Sequence, residues 1–383
     1  MFTIQQLLSF MQQNDASDLY LTVDRPPSFK VHGTVKPAGK QALTTDDLTN
    51  LTKSVLDEAQ FQELTQRKEL NTAWFDPEIG RFRFNFYRQK SSLAMVIRKI
   101  ETIIKTLDQL KLPQTLSDIS MAKRGLVLVV GATGSGKSTT LAAMINHRNE
   151  NEAGHIITIE DPIEFMHEHK KCVVSQREVG VDTESFKAAL KNTLRQAPTV
   201  ILIGEIRDEE TMEHAINFAE TGHLCLATLH SNNANQAMER VINFFPSERH
   251  RQIYLQLSLN LKAIVSQRLV KAKDGTRAAT IEVLLSSARV RELIKNAEVD
   301  AIKEAMNQGT NEGMQTFDQA LFELYKANRI TLTEALENAD SATDLKLKIK
   351  LHSVGQQTQS VEVDEPSAFS LDSAKPEEPT AAA

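Results

Sequence analysis

The sequence predicts an α/β protein in which a small α/β unit precedes a larger, doubly wound domain built on a parallel sheet. Two observations support this fold class. Apolar β-like runs alternate with segments of helical periodicity between residues 126 and 230, as a parallel sheet with crossover helices requires. The first of these runs, 126–130, leads through a glycine-rich loop directly into a helical segment, which is typical of the first unit of such a sheet.

The composition narrows the class of protein. The 383 residues suggest two or three domains, and 41% hydrophobic with 25% charged residues is ordinary for a globular protein. A net charge of −6 argues against a protein that binds nucleic acid mainly by electrostatic attraction. The two cysteines, Cys172 and Cys225, form no C-x-x-C pair, which excludes a four-cysteine zinc site and predicts buried thiols. Without a signal peptide or an apolar run of roughly 20 residues, we expect a cytoplasmic protein.

The small α/β unit covers residues 1–100, and its clearest element is the strand at 81–87. Phenylalanines at every second position, from Phe82 to Phe86, alternate with Arg81 and Arg83, so one face is aromatic and the other is polar. In chain order we predict an N-terminal amphipathic helix, strands at 19–23 and 28–32, a helix at 46–66, and strands at 71–76, 81–87 and 93–98.

A connector at 101–120 leads to the larger domain, which covers residues 121–287. Its Asp274-Gly275 pair predicts a hairpin between strand segments 269–271 and 280–285. The other predicted elements are strands at 126–130, 155–160, 171–174, 200–203 and 223–230, and helices at 139–147, 184–196, 209–220, 234–244 and 248–267.

The C-terminal part predicts a helical subdomain at 288–352 and a tail at 353–383. Thr331 and Glu334 have the spacing of a capping box, which starts one of the helices. The tail is rich in Gln, Ser, Glu, Pro and Ala, with Phe369 its sole aromatic residue, so we predict that it is disordered.

The glycine-rich loop matches the pattern G-x-x-x-x-G-K-[ST] in full. Backbone N–H groups of such a loop point toward a triphosphate, Lys137 reaches its β- and γ-phosphates, and the Ser138 hydroxyl binds Mg²⁺. ATP and Mg²⁺ are therefore the predicted cofactors. The predicted nucleotide-binding residues are Gly131, Ala132, Thr133, Gly134, Ser135, Gly136, Lys137, Ser138 and Thr139.

Hydrolysis of ATP also needs a carboxylate near Mg²⁺ and a group that orients the attacking water. Glu205 follows the strand at 200–203, where ligands of open α/β sheets bind, so we predict that it holds Mg²⁺ through water. Glu160, Asp161 and Glu164 follow the neighbouring strand, and we select Glu164 as the general base. The alternative for each is a solvated acid at a strand end.

Histidines and arginines complete the candidates. His223 and His230 lie at opposite ends of one strand, too far apart to share a metal ion; each is either a sensor of the γ-phosphate or a structural residue, and His230 is our catalytic candidate. Arg81 and Arg83 belong either to a solvated sheet face or to a subunit boundary, where they contact a neighbour's γ-phosphate. Further candidates are Arg98, Arg195 and Arg207.

With these motifs, residues 1 to about 350 resemble the secretion-type ATPases of type IV pilus machines, and within that group the PilT/PilU retraction branch. The resemblance implies a RecA-like P-loop ATPase domain, preceded by a PAS-like N-terminal domain and followed by a helical subdomain. It rests on four motifs in order: Walker A at 131–138, an Asp box at 159–165, Walker B at 203–208 and a His box at 219–230.

The resemblance implies a hexameric ATPase motor that powers or assists pilus retraction in twitching motility. The expected partners are a PilT-like retraction ATPase and an inner-membrane pilus platform protein, with the ring at the cytoplasmic face of that membrane and no nucleic acid bound. Residues 197–199 read Ala-Pro-Thr where PilT-like chains have Asp-Pro-Asp, and 289–294 also departs from the PilT pattern. Both departures favour the PilU side of the branch.

The departure at 197–199 motivates an alternative function, that of a docking subunit whose own ATP turnover is dispensable. A nucleic-acid translocase is a third hypothesis, which the acidic net charge disfavours.

Overall fold

The computed structural model of the chain describes residues 2–31, 33–100 and 103–359, and its strands form two sheets. The N-terminal sheet has six strands, and every neighbouring pair in it is antiparallel. The strands are β1 (Ala16–Leu21), β2 (Ser28–Val31), β3 (Thr34–Pro37), β4 (Glu69–Asp76), β5 (Gly80–Gln89) and β6 (Ser92–Ile100), and the helices are α1 (Ile4–Gln13), α2 (Thr45–Lys53) and α3 (Glu58–Arg67). The spatial order is β3-β2-β1-β6-β5-β4.

The predicted alternation in β5 is confirmed. Phe82, Phe84 and Phe86 are fully buried beneath the helices, whereas Arg81 and Arg83 are half-buried on the opposite face. The phenylalanine face therefore forms the core of the N-terminal domain.

Two predictions for this domain were wrong. The single helix expected at 46–66 is two helices, because Asp57 accepts a hydrogen bond from Gln60 N–H and starts α3 with a capping box. The sequence analysis also missed β3, a short edge strand whose four residues are all exposed. Such a strand carries no hydrophobic alternation, so pattern reasoning has no signal for it.

The second sheet confirms the predicted doubly wound domain. Its strands are β7 (Gly125–Val130), β8 (Gly154–Glu160), β9 (Cys172–Glu178), β10 (Val200–Ile203), β11 (Leu224–Leu229), β12 (Leu261–Lys271) and β13 (Arg277–Leu285). The helices are α4 (Thr115–Ser120), α5 (Lys137–Asn151), α6 (Phe186–Thr193), α7 (Glu209–Glu220), α8 (Ala234–Asn243) and α9 (His250–Asn260). The spatial order is β13-β12-β7-β11-β10-β8-β9, and only the β12–β13 pair is antiparallel.

Both faces of this sheet are covered. Along β7, Leu126, Leu128 and Val130 pack into the core beneath α7 and α8, while Val127 and Val129 pack into the core beneath α4 and α5. Burial on both faces explains the continuous apolar runs of the sequence. The cysteines are free and buried, as predicted.

The helix predicted at 248–267 was wrong over its last seven residues, 261–267. Helix α9 ends at Asn260, and the chain continues as β12, which pairs with β7 on one side and with β13 on the other. These two partners satisfy the backbone, and tertiary pairing therefore overrides the local helical pattern. The hairpin at Asp274-Gly275 is confirmed, since it joins β12 to β13. The connector also joins the core, because Leu107, Leu112, Leu116 and Ile119 pack against it.

The helical C-terminal subdomain is confirmed. It consists of α10 (Ala288–Lys295), α11 (Ile302–Gln308), α12 (Phe317–Lys326), α13 (Leu332–Glu337) and α14 (Ala342–Gln359). Thr331 caps α13, but Glu334 accepts a hydrogen bond from Lys271 N–H instead of completing the capping box. Helix α14 continues to Gln359, into the segment predicted to be disordered, and the rest of that prediction, 360–383, lies outside the described residues. Among the described helices, none combines the length and apolarity that crossing a membrane requires.

Candidate functional site

The loop between β7 and α5 has the conformation that its glycines predict. Gly131 has φ +155° and Gly134 has φ +79°, which disfavour other residues. A Cβ on Gly131 would lie 2.5 Å from the carbonyl oxygen of Gln267 and 2.5 Å from Ser135 Oγ. Gly136 is the N-cap of α5, so the loop ends where the backbone N–H groups of a helix start are available to an anion.

Gln267 on β12 packs against this loop and hydrogen-bonds the first turn of α5. It is 3% exposed, and its Oε1 accepts a hydrogen bond of 2.7 Å from the Thr140 hydroxyl on α5. A Cβ on Gly136 would lie 2.7 Å from its Nε2. Gln267 could not be recognised in the sequence because it falls within the wrongly predicted helix; the one available signal was a polar stretch, 266–268, within an apolar run.

Lys137 lies folded over its own loop. Its Nζ donates to the carbonyl oxygens of Gly131 at 2.8 Å and Ala132 at 3.1 Å. Burial lowers the pKa of the Lys137 ammonium below its ordinary value, and the nearby carboxylates of Glu205 and Glu164 oppose that shift. The cation is thus held at the centre of the site, between the loop and two acids.

Two carboxylates reach the start of α5 from neighbouring strands. Ile159 of β8 pairs with Ile203 of β10 in parallel register, so the residues that follow both strands lie at the same sheet edge. Glu164 Oε1 accepts a 2.9 Å hydrogen bond from the Ser138 hydroxyl. The structure thus brings Glu164 into contact with Ser138, and Glu205 lines the same cavity; the catalytic roles of both acids stay predictions.

Glu205 is the centre of a small charged cluster. Its Oε2 accepts from Arg207 Nη2 at 2.6 Å and from Nε at 2.8 Å, and its Oε1 lies 3.0 Å from His230 Nε2. The hydrogen bond to Glu205 raises the pKa of the Arg207 guanidinium. Arg207 Nη1 also lies 3.8 Å from Asp161. His230 and Arg207 are therefore close to the acid that the sequence assigned to Mg²⁺.

A cavity of about 430 Å³ joins these groups. Its oxygen donors, from Ser138, Glu164 and Glu205, are the hard ligands that Mg²⁺ prefers, so the residues present fit this ion. The predicted residues that line it are Thr133, Gly134, Gly136, Lys137, Ser138, Thr139, Glu164, Glu205 and His230. Ala132 and Ser135 line an adjoining cavity, and Leu269 and Arg277, which the sequence analysis missed, line both.

Two further titratable groups lie in the wall of the cavity: Glu160 in the Asp box and His167 two residues beyond it. Burial raises the pKa of the Glu160 carboxyl to about 7, although hydrogen bonds from Thr158 and Gln176 oppose the rise. Burial lowers the pKa of His167 to about 4, and the charge of Lys170 acts in the same direction. Glu160 is thus held in the wall, while Glu164 is exposed to the cavity.

The remaining candidates do not line the cavity. His223 lies before β11, at the opposite end of the strand from His230, where its ring contacts Thr221 and the carbonyl oxygen of Phe218. Arg81 and Arg83 lie on β5 of the N-terminal sheet, close enough to Glu178 to influence the pKa of its carboxyl. Arg98 Nε donates to Asp18 Oδ1 at 2.8 Å.

The chain is similar to several known proteins. A family model described as "Type II/IV secretion system protein" matches residues 89–349. The type IV pilus ATPase PilU of Pseudomonas aeruginosa is 55% identical over 350 residues, which cover 91% of this chain and 92% of that protein. The type IV pilus retraction ATPase PilT of the same species is 39% identical over 336 residues, 88% of this chain and 98% of that protein. A crystal structure of the pilus retraction motor PilT with bound ADP has a TM-score of 0.85 and 37% identity, covering 90% of this chain and 99% of that one.

Proposed function

We propose that this chain hydrolyses ATP as a type IV pilus motor. The premise is its family: the chain belongs to the type II/IV secretion proteins and, within them, to the PilU- and PilT-like pilus ATPases. The observation that carries the proposal is the convergence of Lys137, Ser138, Glu164 and Glu205 on one cavity beside the glycine loop. These side chains supply the cation, the hydroxyl and the two carboxylates that the reaction needs.

Each residue has a definite task in this proposal. The N–H groups of the loop and the Lys137 ammonium bind the phosphates and stabilise the charge that develops on the terminal one. Ser138 and, through water, Glu205 hold Mg²⁺, which neutralises phosphate charge when it is bound. Glu164 accepts a proton from the attacking water and orients it, since this carboxylate already lies 2.9 Å from Ser138 Oγ. His230 keeps Glu205 in place through their 3.0 Å contact.

The proposed assembly is a hexameric ring at the cytoplasmic face of the inner membrane. In this ring, Arg81 and Arg83 of one subunit act on the γ-phosphate bound by the next, and the motor assists a PilT-like ATPase on a pilus platform protein. The similarity to PilU and PilT supports this proposal. The position of both arginines on the polar face of β5, opposite the buried phenylalanines, also supports it.

Replacement of Lys137 tests ATP hydrolysis directly. Lys137→Ala removes the cation at the centre of the site, and we expect phosphate release by the purified protein to be abolished. The matched control is Lys187→Ala, because Lys187 is a surface residue paired with Glu210 at 2.9 Å, on the helical layer and away from the cavity. Near-normal turnover of Lys137→Ala would reject the assignment.

The docking alternative is tested in cells. The Ala197-Pro198-Thr199 segment that motivates it lies at the start of β10, so it is at the amino ends of the parallel strands, whereas the cavity is at their carboxyl ends. There Thr199 exchanges hydrogen bonds with the backbone of His155. This position leaves the nucleotide site unaltered and favours a chain with its own turnover. A strain that carries Lys137→Ala and still twitches normally would support the docking subunit instead.

A further inference from the structure

The segment that carries Glu164 needs an external support. Between residues 160 and 172, all of which the structure describes, there is no helix or strand. A general base must nevertheless keep its carboxylate within hydrogen-bond reach of the attacking water. A displacement of about 1 Å in a catalytic group can cost on the order of 100-fold in rate. The residues that hold this segment therefore matter for the rate.

Two side chains of β9 hold the residues on either side of Glu164. Glu178 Oε2 accepts a hydrogen bond of 3.2 Å from Ile163 N–H. Gln176 Nε2 donates to the carbonyl oxygen of Phe165 at 2.8 Å. The backbone is thus fixed immediately before and immediately after the proposed base.

Gln176 also makes two further contacts with the same loop. Its Oε1 accepts from His167 N–H at 2.8 Å, and its Nε2 lies 3.3 Å from Glu160 Oε1. One amide group therefore connects the end of β8, the peptide after Glu164 and the peptide two residues further along. An amide can do this because it offers both donors and an acceptor.

The pattern of β9 agrees with this role. Alternate residues of a strand share a face, so Cys172, Val174, Gln176 and Glu178 point to the same side. The first two are buried in the apolar core, and the last two are polar at the end of the strand next to the site. Glu178 is only 4% exposed, and a carboxylate at such a position needs the partner that Ile163 N–H provides.

Glu178 also lies in the field of the N-terminal domain. Burial raises the pKa of its carboxyl, and the hydrogen bond from Ile163 and the guanidinium groups of Arg81 and Arg83 oppose the rise. These two cations therefore favour the charged form of the carboxylate that accepts the hydrogen bond from Ile163 N–H.

We propose that Gln176 and Glu178 are positioning residues for Glu164. This inference rests on the proposed ATP hydrolysis with Glu164 as general base. Gln176 and Glu178 contact the peptides around Glu164 and not the nucleotide, so their effect passes through the position of that carboxylate.

The test is a double-mutant cycle in ATP turnover. Gln176→Met keeps the size of the side chain and removes all three loop contacts, and we expect kcat to fall about 10- to 100-fold while the affinity for MgATP changes less than about twofold. In a Glu164→Gln background, the same change should lower kcat less than about twofold, because the group that Gln176 positions is already lost. A purely structural role would multiply both losses.

Two matched variants complete the experiment. Ser175→Ala lies on the other face of β9, where Ser175 Oγ contacts His155 Nε2 at 2.9 Å, and it should leave kcat unchanged. Glu178→Gln keeps an oxygen acceptor for Ile163 N–H and should retain most of the rate, whereas Glu178→Leu should lower it. If Gln176→Met fails to fold, Gln176→Asn keeps an amide at this position but is one methylene too short to span all three contacts, and it should also lower kcat.

The outcomes distinguish failure of the proposed general base from failure of the positioning role. Normal turnover of Glu164→Gln would remove the proposed base itself. Slow turnover of Glu164→Gln together with normal turnover of Gln176→Met, or a full multiplicative loss in the double variant, would overturn the positioning role and leave the proposed function intact.

Discussion

Gly131 and Gly134 provide a paired test of how the phosphate loop is built. Both have positive φ angles, of +155° and +79°, and both lie in the same loop. Their surroundings differ. An added Cβ at position 131 would lie 2.5 Å from a backbone oxygen of Gln267, whereas at position 134 it would meet no described atom within 4 Å. The changes Gly131→Ala and Gly134→Ala therefore separate steric collision from backbone strain.

The expected costs follow from these distances. At Gly134 the left-handed backbone costs an alanine about 1–2 kcal/mol, partly offset by the smaller entropy of the unfolded chain. At Gly131 the backbone strain of about 1–3 kcal/mol is joined by a collision with a main-chain atom, which no side-chain rotation relieves and which costs about 1–3 kcal/mol more. From the middle of these ranges, we expect Gly131→Ala to lose about 2–3 kcal/mol more of the free energy of unfolding than Gly134→Ala.

Equilibrium urea unfolding of the nucleotide-free protein, followed by circular dichroism, measures this difference. Nucleotide is left out so that contacts of the new methyl groups with phosphate do not contribute. Equal unfolding midpoints for the two variants would refute the claim that Gln267 leaves no room for a side chain at position 131.

Two other predictions concern charge. Mixing Arg83→Ala subunits with Lys137→Ala subunits should restore part of the ATPase activity, because a site formed from two chains can combine an intact arginine with an intact loop; no recovery at any ratio would count against arginines acting between subunits. Glu160, with a pKa raised from 4.5 to about 7, keeps a proton in the folded state that the unfolded chain releases, so its contribution to stability falls as pH rises from 4.5 to 7. Glu160→Gln should remove this fall, and thermal melts of parent and variant across that window would show a constant difference if the reasoning is wrong. His167, with a pKa lowered from 6.5 to about 4, acts in the opposite direction and is common to both proteins.

The residues at the glycine loop were predictable because their signals are contiguous. The motif itself specifies Lys137 and Ser138, and apolar runs that end in acids point to Glu164 and Glu205 at the carboxyl edge of a parallel sheet. The structure brings these four side chains to one cavity.

The supporting residues were not predictable from local pattern. Gln267 contacts Thr140, which is 127 positions away in the sequence, and it lies on a strand that owes its conformation to pairing with β7 and β13. Gln176 and Glu178 contact peptide groups of a loop without regular structure. Such contacts depend on the folded arrangement of distant segments, and a single sequence carries no periodic signal for them.

The bonds between Lys137 and the carbonyl groups of Gly131 and Ala132 have a consequence for a protein that works in cycles. When the phosphates leave, the ammonium returns to acceptors within its own loop, so release exposes no unpaired buried cation. Binding and release become an exchange of one set of acceptors for another. Because these acceptors belong to the loop itself, release of the nucleotide does not require the loop to refold in order to pair the cation.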